Sequence, residues 1–395
     1  MPRILILKRG EISYNSLNVF ADHLGDALKK QGVDIDYYSI AEEFDVLIEL
    51  VQKNKYDAAI AFNSLGQHDY KAGNGNLWDY LGTPFFNYIV DHPQMHNRFL
   101  NTECRNYYVL CMDRDHIGYI EDYYPRVKKS FFLPLGGLTC SEQSEPSSAN
   151  YSAREHDVLF MASSGNLSAL EKNIIDMPEG VRKVTADSID YLLDNRDESL
   201  EAGLRRALFD NNIDATQKEI YIGFATVCLP IVNNYLRAYI REEAVRYLAS
   251  SGAKISLYGT GWDSIAEEYK NINRYNNVSY DQTASIFRKS KIIFNVMPFF
   301  KNGSHDRIAT GMLNKAAVFT DKNKYLSEEF NESESDRKIA FWDVNIPEDI
   351  PQKVTEMLEN TDMLATMSET AYKYACQNMT WDCVARKLME ILKQI

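Results

Sequence analysis

The chain has 395 residues, 45% of them hydrophobic and 25% charged, with a formal net charge of -13. That balance is globular and the length exceeds one ordinary core, so two domains are expected. The acidic excess argues against a nucleic-acid partner, which needs a basic face to displace counterions from phosphates, but it leaves room for local basic pockets.

The N-terminal Met1-Pro-Arg-Ile-Leu-Ile-Leu-Lys-Arg-Gly10 is far too short in its apolar part for a signal peptide and runs directly into a first strand, which predicts a cytoplasmic protein. Short β-type runs follow at Ile4 to Leu7, Asp34 to Ile40, Tyr56 to Asn63, Pro84 to Val90, Asn106 to Met112 and Ser130 to Leu135. Between them, Leu17 to Lys30, Asp45 to Asn54 and Asp115 to Tyr124 carry helical spacing. The alternation predicts a parallel, doubly wound sheet over residues 1–138. Residues 139–154 are polar and breaker-rich and read as a linker. A second α/β domain, residues 155–375, starts with His156 to Ser163 and resumes at Lys254 to Gly259, Lys291 to Met297, Ala316 to Asp321 and Lys338 to Asp343. A helical insertion fills about 167–250; its most apolar stretch, Tyr221 to Val232, is too short for a membrane span and fits a buried helix, so no transmembrane segment is expected. From Asp349 onward two or three amphipathic helices are expected, the last within 376–395 and packing back on the N-terminal domain. Cys104, Cys111, Cys140, Cys228, Cys376 and Cys383 show no CxxC pair or zinc-like spacing and read as reduced thiols.

The segment from Lys291 to Asp321 points to an anion. An apolar strand is ended by Pro298, Gly303-Ser304 frees the backbone, and a helix follows with Ser304 as N-cap and His305, Asp306 and Arg307 in its first turn. Backbone N–H groups, the positive dipole end and two basic side chains then face one spot. Gly259-Thr-Gly261 also follows a strand, where it lets the backbone approach a ligand or makes a simple turn. Tyr280 and Asn295 are candidates for base or ribose contacts, or for packing.

In the first domain, Phe85 to Val90 ends abruptly in Asp91-His92-Pro93, so Asp91 and His92 should project from the carboxyl end of a strand towards an interdomain cleft. Either suits removal of a proton from a hydroxyl, unless Asp91 only caps the loop and His92 is structural; His96 is a possible second member. Asp113-Arg-Asp115 spells a metal-binding motif but opens a helix, where acidic residues serve as caps, so no metal is expected.

Ile255-Ser-Leu-Tyr-Gly-Thr-Gly-Trp262, Asn277-Val-Ser-Tyr-Asp281, Ser290 to Val296, Gly303-Ser-His-Asp-Arg307 and Val318-Phe-Thr-Asp321 resemble the spore-maturation (CgeB-like) group of family-one-type glycosyltransferases. Leu133-Pro-Leu-Gly-Gly137 and Asp157-Val-Leu-Phe160 sit where that group crosses between domains. The resemblance implies the GT-B fold, two Rossmann-like domains closed by C-terminal helices. It also implies transfer of a sugar from a nucleotide diphosphate sugar, with no further cofactor, to a glycan, lipid-linked or protein acceptor. On that reading Gly259, Gly261, Tyr280, Asn295 and Gly303 to Arg307 bind the donor, His92 or Asp91 is catalytic, and Gly10 and Glu11 in the first loop contact the acceptor. Where many retaining relatives carry two glutamates eight residues apart, this chain has Asn302 and Thr310, and Lys315 replaces a frequent glycine. A nucleotide-sugar epimerase, or a carbohydrate-binding or assembly protein of the same fold without catalysis, are the competing readings.

Overall fold

A computed structural model describes residues 1–9, 15–65, 70–73, 75–140, 148–297, 299–330 and 336–395, with side chains described from 151 rather than 148 in the fifth segment. Gly10 and Glu11, and the strand-ending Pro298, lie outside the described residues. The chain divides into two compact units, one of residues 1–136, 279–281 and 378–395, the other of 137–278 and 282–377.

The first unit is built on β1 (Arg3–Lys8), β2 (Asp34–Ser39), β3 (Ala58–Phe62), β4 (Lys71–Ala72), β5 (Gly75–Asn76), β6 (Phe85–Ile89), β7 (Tyr107–Cys111) and β8 (Lys129–Phe132). Six of these form a parallel sheet in the order β2-β1-β3-β6-β7-β8, and β4 and β5 make a separate antiparallel hairpin. Every residue of β3, β6 and β7 is buried and all but Asn87 are apolar, the pattern of strands covered on both faces. The helix Trp381–Leu392 packs on the helix Ser16–Lys30. Trp381 lies 5.8 Å from Phe20 between ring centroids, and Lys30 pairs with Asp382 at 3.1 Å. Gly136 is needed there, because a Cβ would stand 2.7 Å from the Trp381 backbone nitrogen.

The second unit carries β9 (His156–Met161), β10 (Ile255–Tyr258), β11 (Ile272–Tyr275), β12 (Ser290–Asn295), β13 (Ala317–Asp321) and β14 (Ala340–Trp342) in one parallel sheet. The order is β11-β10-β9-β12-β13-β14, so strand order reverses between β9 and β12. That reversal splays the flanking loops apart at the carboxyl ends, which is where ligands enter sheets of this kind. The edge strand β11 was not foreseen: only Ile272 is buried, and Asn273 and Arg274 face solvent, so its apolar signal is faint. Between β9 and β10 lie four helices, ending with Lys218–Ser250, a 33-residue helix that includes Tyr221 to Val232. No helix among the described residues is long and apolar enough to cross a membrane.

Candidate functional site

At the switch point of the second sheet, the helix Asp306–Leu313 follows β12. Its N-cap is His305 rather than the expected Ser304: the ring Nδ1 accepts the Arg307 amide at 3.4 Å, so an imidazole does the work that a hydroxyl one residue earlier was expected to do. The same Nδ1 lies 3.3 Å from Arg307 Nε and 2.5 Å from Asp306 Oδ1. Three partners thus meet at one ring nitrogen, and Nε2 is the nitrogen directed away from them. Burial, then the positive charge of Arg307, holds the imidazole below its ordinary pKa.

Arg307 reaches β9, donating from Nη1 to the Met161 carbonyl at 3.1 Å. Two residues on, the Ser163 carbonyl accepts Nη1 of Arg241 at 3.0 Å, from the long helix. Nε of Arg241 is buried and has no hydrogen-bond partner among the described residues. Burial, followed by Arg307 and then Arg237, pushes the Arg241 guanidinium well below its ordinary pKa. Two guanidiniums and an imidazole therefore crowd at one helix N-terminus, with an unused donor. Such a place is relieved by an anion.

Arg241 was missed from the sequence. It occupies a helical position in register with buried Val245 and Leu248, and a charged residue on an otherwise apolar stripe was the available signal.

Beside this centre, buried Asp321 at the end of β13 accepts the Met297 amide on both oxygens at 2.9 Å and the Thr320 hydroxyl at 3.0 Å. Burial nevertheless dominates and raises its pKa from 3.8 to about 6. A raised carboxyl stabilises the fold fully below its unfolded value, and that contribution is lost as pH rises through about 6. Asp321→Asn keeps an acceptor for Met297 and Thr320 without the buried charge. It is expected to stabilise the protein by about 1–3 kcal/mol at pH 8 and by less at pH 5, read from denaturant midpoints. A gain independent of pH would contradict this origin.

Gly259 and Gly261 are brought to the loop that follows β9, but their side-chain positions face protein. A Cβ on Gly259 would stand 2.4 Å from the Ala162 carbonyl oxygen, at φ 135°, and one on Gly261 would stand 2.9 Å from Ser164 Oγ. The two loops are tied by Ala162 N donating to Tyr258 O and Ser164 N donating to Thr260 O, both at 3.0 Å. The glycines thus shape the segment whose carbonyls hold Arg241 and Arg307. Gly259→Ala forces backbone against backbone and is expected to cost roughly 2–4 kcal/mol by chemical denaturation, with an unchanged midpoint as the contrary result.

Asn295 is fully buried at the end of β12, its Nδ2 donating to Thr320 Oγ1 at 2.9 Å while Oδ1 has no partner among the described residues. Gly303 is fixed through its carbonyl, which accepts Asn323 Nδ2 at 2.9 Å, and Ser304 is buried beside it. Tyr280 is not gathered here: it belongs to the first unit, edge-on to Phe20 at 5.0 Å. Thr310 Oγ1 accepts the Leu138 amide at 3.1 Å, a structural tie, and Asn302 is buried. Lys315 has the left-handed φ of 55° that glycine adopts most easily, and it is held by Glu369 at 2.8 Å.

In the first unit, exposed Asp91 follows β6, and its Oδ2 accepts Asn63 Nδ2 at 2.9 Å. Buried His92 accepts the Gln94 amide on Nδ1 at 3.1 Å and packs edge-on against His116 and Tyr119. An Nδ1 used as acceptor leaves the neutral ring's proton on Nε2, which suits His92 to donate rather than accept there. His96 lies 2.9 Å from Ser64 Oγ through Nδ1, and burial lowers its pKa to about 4. Asp113 accepts the Asp115 amide at 2.8 Å, as a helix-initiating carboxylate does, and no cluster of three His, Cys, Asp or Glu side chains among the described residues is placed to hold a metal.

Residues 237–390, less than half of the chain, match a glycosyl transferase-like family. No curated protein matches the sequence. Among solved structures, the chain resembles sucrose-phosphate synthase from Thermosynechococcus elongatus at 9% identity and TM-score 0.54, covering 100% of this chain and 99% of that one. It resembles a glycosyltransferase from Rickettsia africae at 12% identity and TM-score 0.54, covering 100% and 98%. It also resembles HepE from Anabaena in complex with UDP-glucose, at 11% identity and TM-score 0.52 with 100% of both chains covered. At such identities the likeness is one of fold: two Rossmann-like parallel-sheet domains with a helical C-terminus, the GT-B architecture.

Proposed function

We propose that this glycosyltransferase moves a sugar from a nucleotide diphosphate sugar to an acceptor hydroxyl without a metal ion, the diphosphate being held at the N-terminus of the helix Asp306–Leu313. The observation that carries the reading is the pair Arg241 and Arg307 on the carbonyls of Ser163, just past β9, and Met161, at its end, with an unpartnered Nε and a helix N-terminus beside them. As the glycosidic bond breaks, negative charge builds on the departing diphosphate, and fixed donors aimed at it stabilise the transition state more than the ground state. Arg241, Arg307, Nε2 of His305 and the Gly303-Ser304 backbone supply those donors. Gly259 and Gly261 act through the loop they shape, and Asn295 supports the floor of the site.

Asp91 is the base that takes the acceptor proton, because its carboxylate is exposed and oriented by Asn63, whereas His92 has its Nδ1 lone pair engaged by Gln94. His92 then serves as a donor or positioning group. HepE was solved with UDP-glucose, so UDP-glucose is the first donor to try. The CgeB-like subgroup remains the reading of the segments from Ile255 to Trp262 and from Gly303 to Arg307.

The test is turnover of nucleotide diphosphate sugars in excess chelator. Release of nucleoside diphosphate that is insensitive to chelation supports the reading; activity that vanishes with chelator and returns with manganese contradicts the metal-free part of it. Conversion of the donor sugar into its epimer, without release of nucleotide, would favour an epimerase.

A further inference from the structure

The first unit has a concave surface of about 750 Å³ whose lining includes Lys71, Arg98, Arg105 and Arg126 together with Asp79 and Glu103. It sits among the segments that lead into β6, β7 and β8, at their amino ends, whereas Asp91 follows the carboxyl end of β6. A five-residue strand separates the two ends by roughly 17 Å. The surface is therefore not part of the catalytic constellation proposed above, and it concentrates four cations in a chain of net charge -13.

The two carboxylates offset only part of that charge, pairing with Arg105 and Arg126. Both oxygens of Asp79 accept the Arg105 amide, at 2.8 and 3.1 Å, so its charge is turned onto backbone and the Arg105 Nε is only at 3.7 Å. Glu103 meets Arg126 at 3.1 Å on a rim where the glutamate side chain is 85% exposed, a pairing of little strength in water. Nη1 of Arg126 is anchored on the Asn101 carbonyl at 2.7 Å, which fixes the guanidinium in place. Lys71 and Arg98 form no ion pair among the described residues.

We propose that this pocket binds a phosphate monoester carried on a sugar-sized body. Three planar guanidinium forks and an ammonium offer more donors than the two carboxylates take up, while the several oxygens of a phosphate accept the remainder together. The volume is that of a small-molecule site and well beyond a bare phosphate, which leaves room for the sugar.

The test is calorimetric titration of the full chain with glucose 6-phosphate, inorganic phosphate and glucose at matched ionic strength. Wild type, Lys71→Ala/Arg98→Ala and Arg307→Ala are compared, the last to remove the other anion site. Binding of the phosphorylated ligands but not glucose is expected, about tenfold or more weaker in Lys71→Ala/Arg98→Ala and retained in Arg307→Ala. A tighter complex with glucose 6-phosphate than with inorganic phosphate assigns the carried ester. Equal affinity for the two points to free phosphate and overturns the sugar-bearing part. Unchanged binding in Lys71→Ala/Arg98→Ala, or its loss in Arg307→Ala, would place the anion elsewhere and overturn the site. Thermal midpoints of the unliganded variants close to wild type separate loss of binding from loss of fold.

Discussion

Arg307→Ala is expected to weaken binding of the donor's diphosphate by about 30- to 1,000-fold, the loss of roughly 2–4 kcal/mol that follows removal of a partly buried cation from an anion. Arg241→Ala should act in the same direction, and because both guanidiniums serve one charge, the double variant should lose less than the sum of the two. Titration with UDP and with other nucleoside diphosphates reads the effect. The Met161 carbonyl loses its Arg307 partner in this variant, so Arg307→Lys, which keeps the charge but not the fork, is the useful companion. Full affinity in both alanine variants would remove the diphosphate from this helix end. His305 adds a pH dependence to the proposal: burial and Arg307 lower its pKa in the free protein, and a diphosphate bound beside it would raise it again. Between those two values binding takes up a proton, so affinity should strengthen as pH falls towards the ordinary histidine range.

The second large effect concerns proton removal. Asp91→Asn keeps an acceptor for Asn63 but removes the proposed base, and a fall in kcat of about 10²–10⁴-fold with donor affinity unchanged is expected. His92→Ala should cost less, since its engaged Nδ1 makes it a support for the loop Pro93–His96. If Asp91→Asn turns over normally and His92→Ala is dead, the roles are reversed.

Much of this molecule could be read from its sequence because parallel strands buried on both faces are written as almost wholly apolar runs. Ala58 to Phe62, Phe85 to Ile89 and Tyr107 to Cys111 all lie within the predicted strands. The polar edge strand Ile272–Tyr275 lacked that signal. The helix after β12 was placed, but its cap was expected one residue early, since hydroxyl and carboxylate caps are the common kind and an imidazole is not. Gly259-Thr-Gly261 showed the need for small residues without showing what approaches them; the answer, the Ala162 carbonyl, lies about a hundred positions away. Arg241 and Arg307 are likewise separated by 66 residues, and only the fold hangs them on the carbonyls of Ser163 and Met161. Spacing rules describe local chemistry, and the proposed anion site is assembled from three separate elements.

The decisive experiment incubates nucleotide diphosphate sugars, UDP-glucose first, with wild type and with the Arg241→Ala/Arg307→Ala variant in excess chelator, and measures nucleoside diphosphate released. The wild type is expected to release it from at least one donor, and a variant that remains folded to release almost none. No release or binding with any donor, or equal release by the variant, would contradict the proposed function.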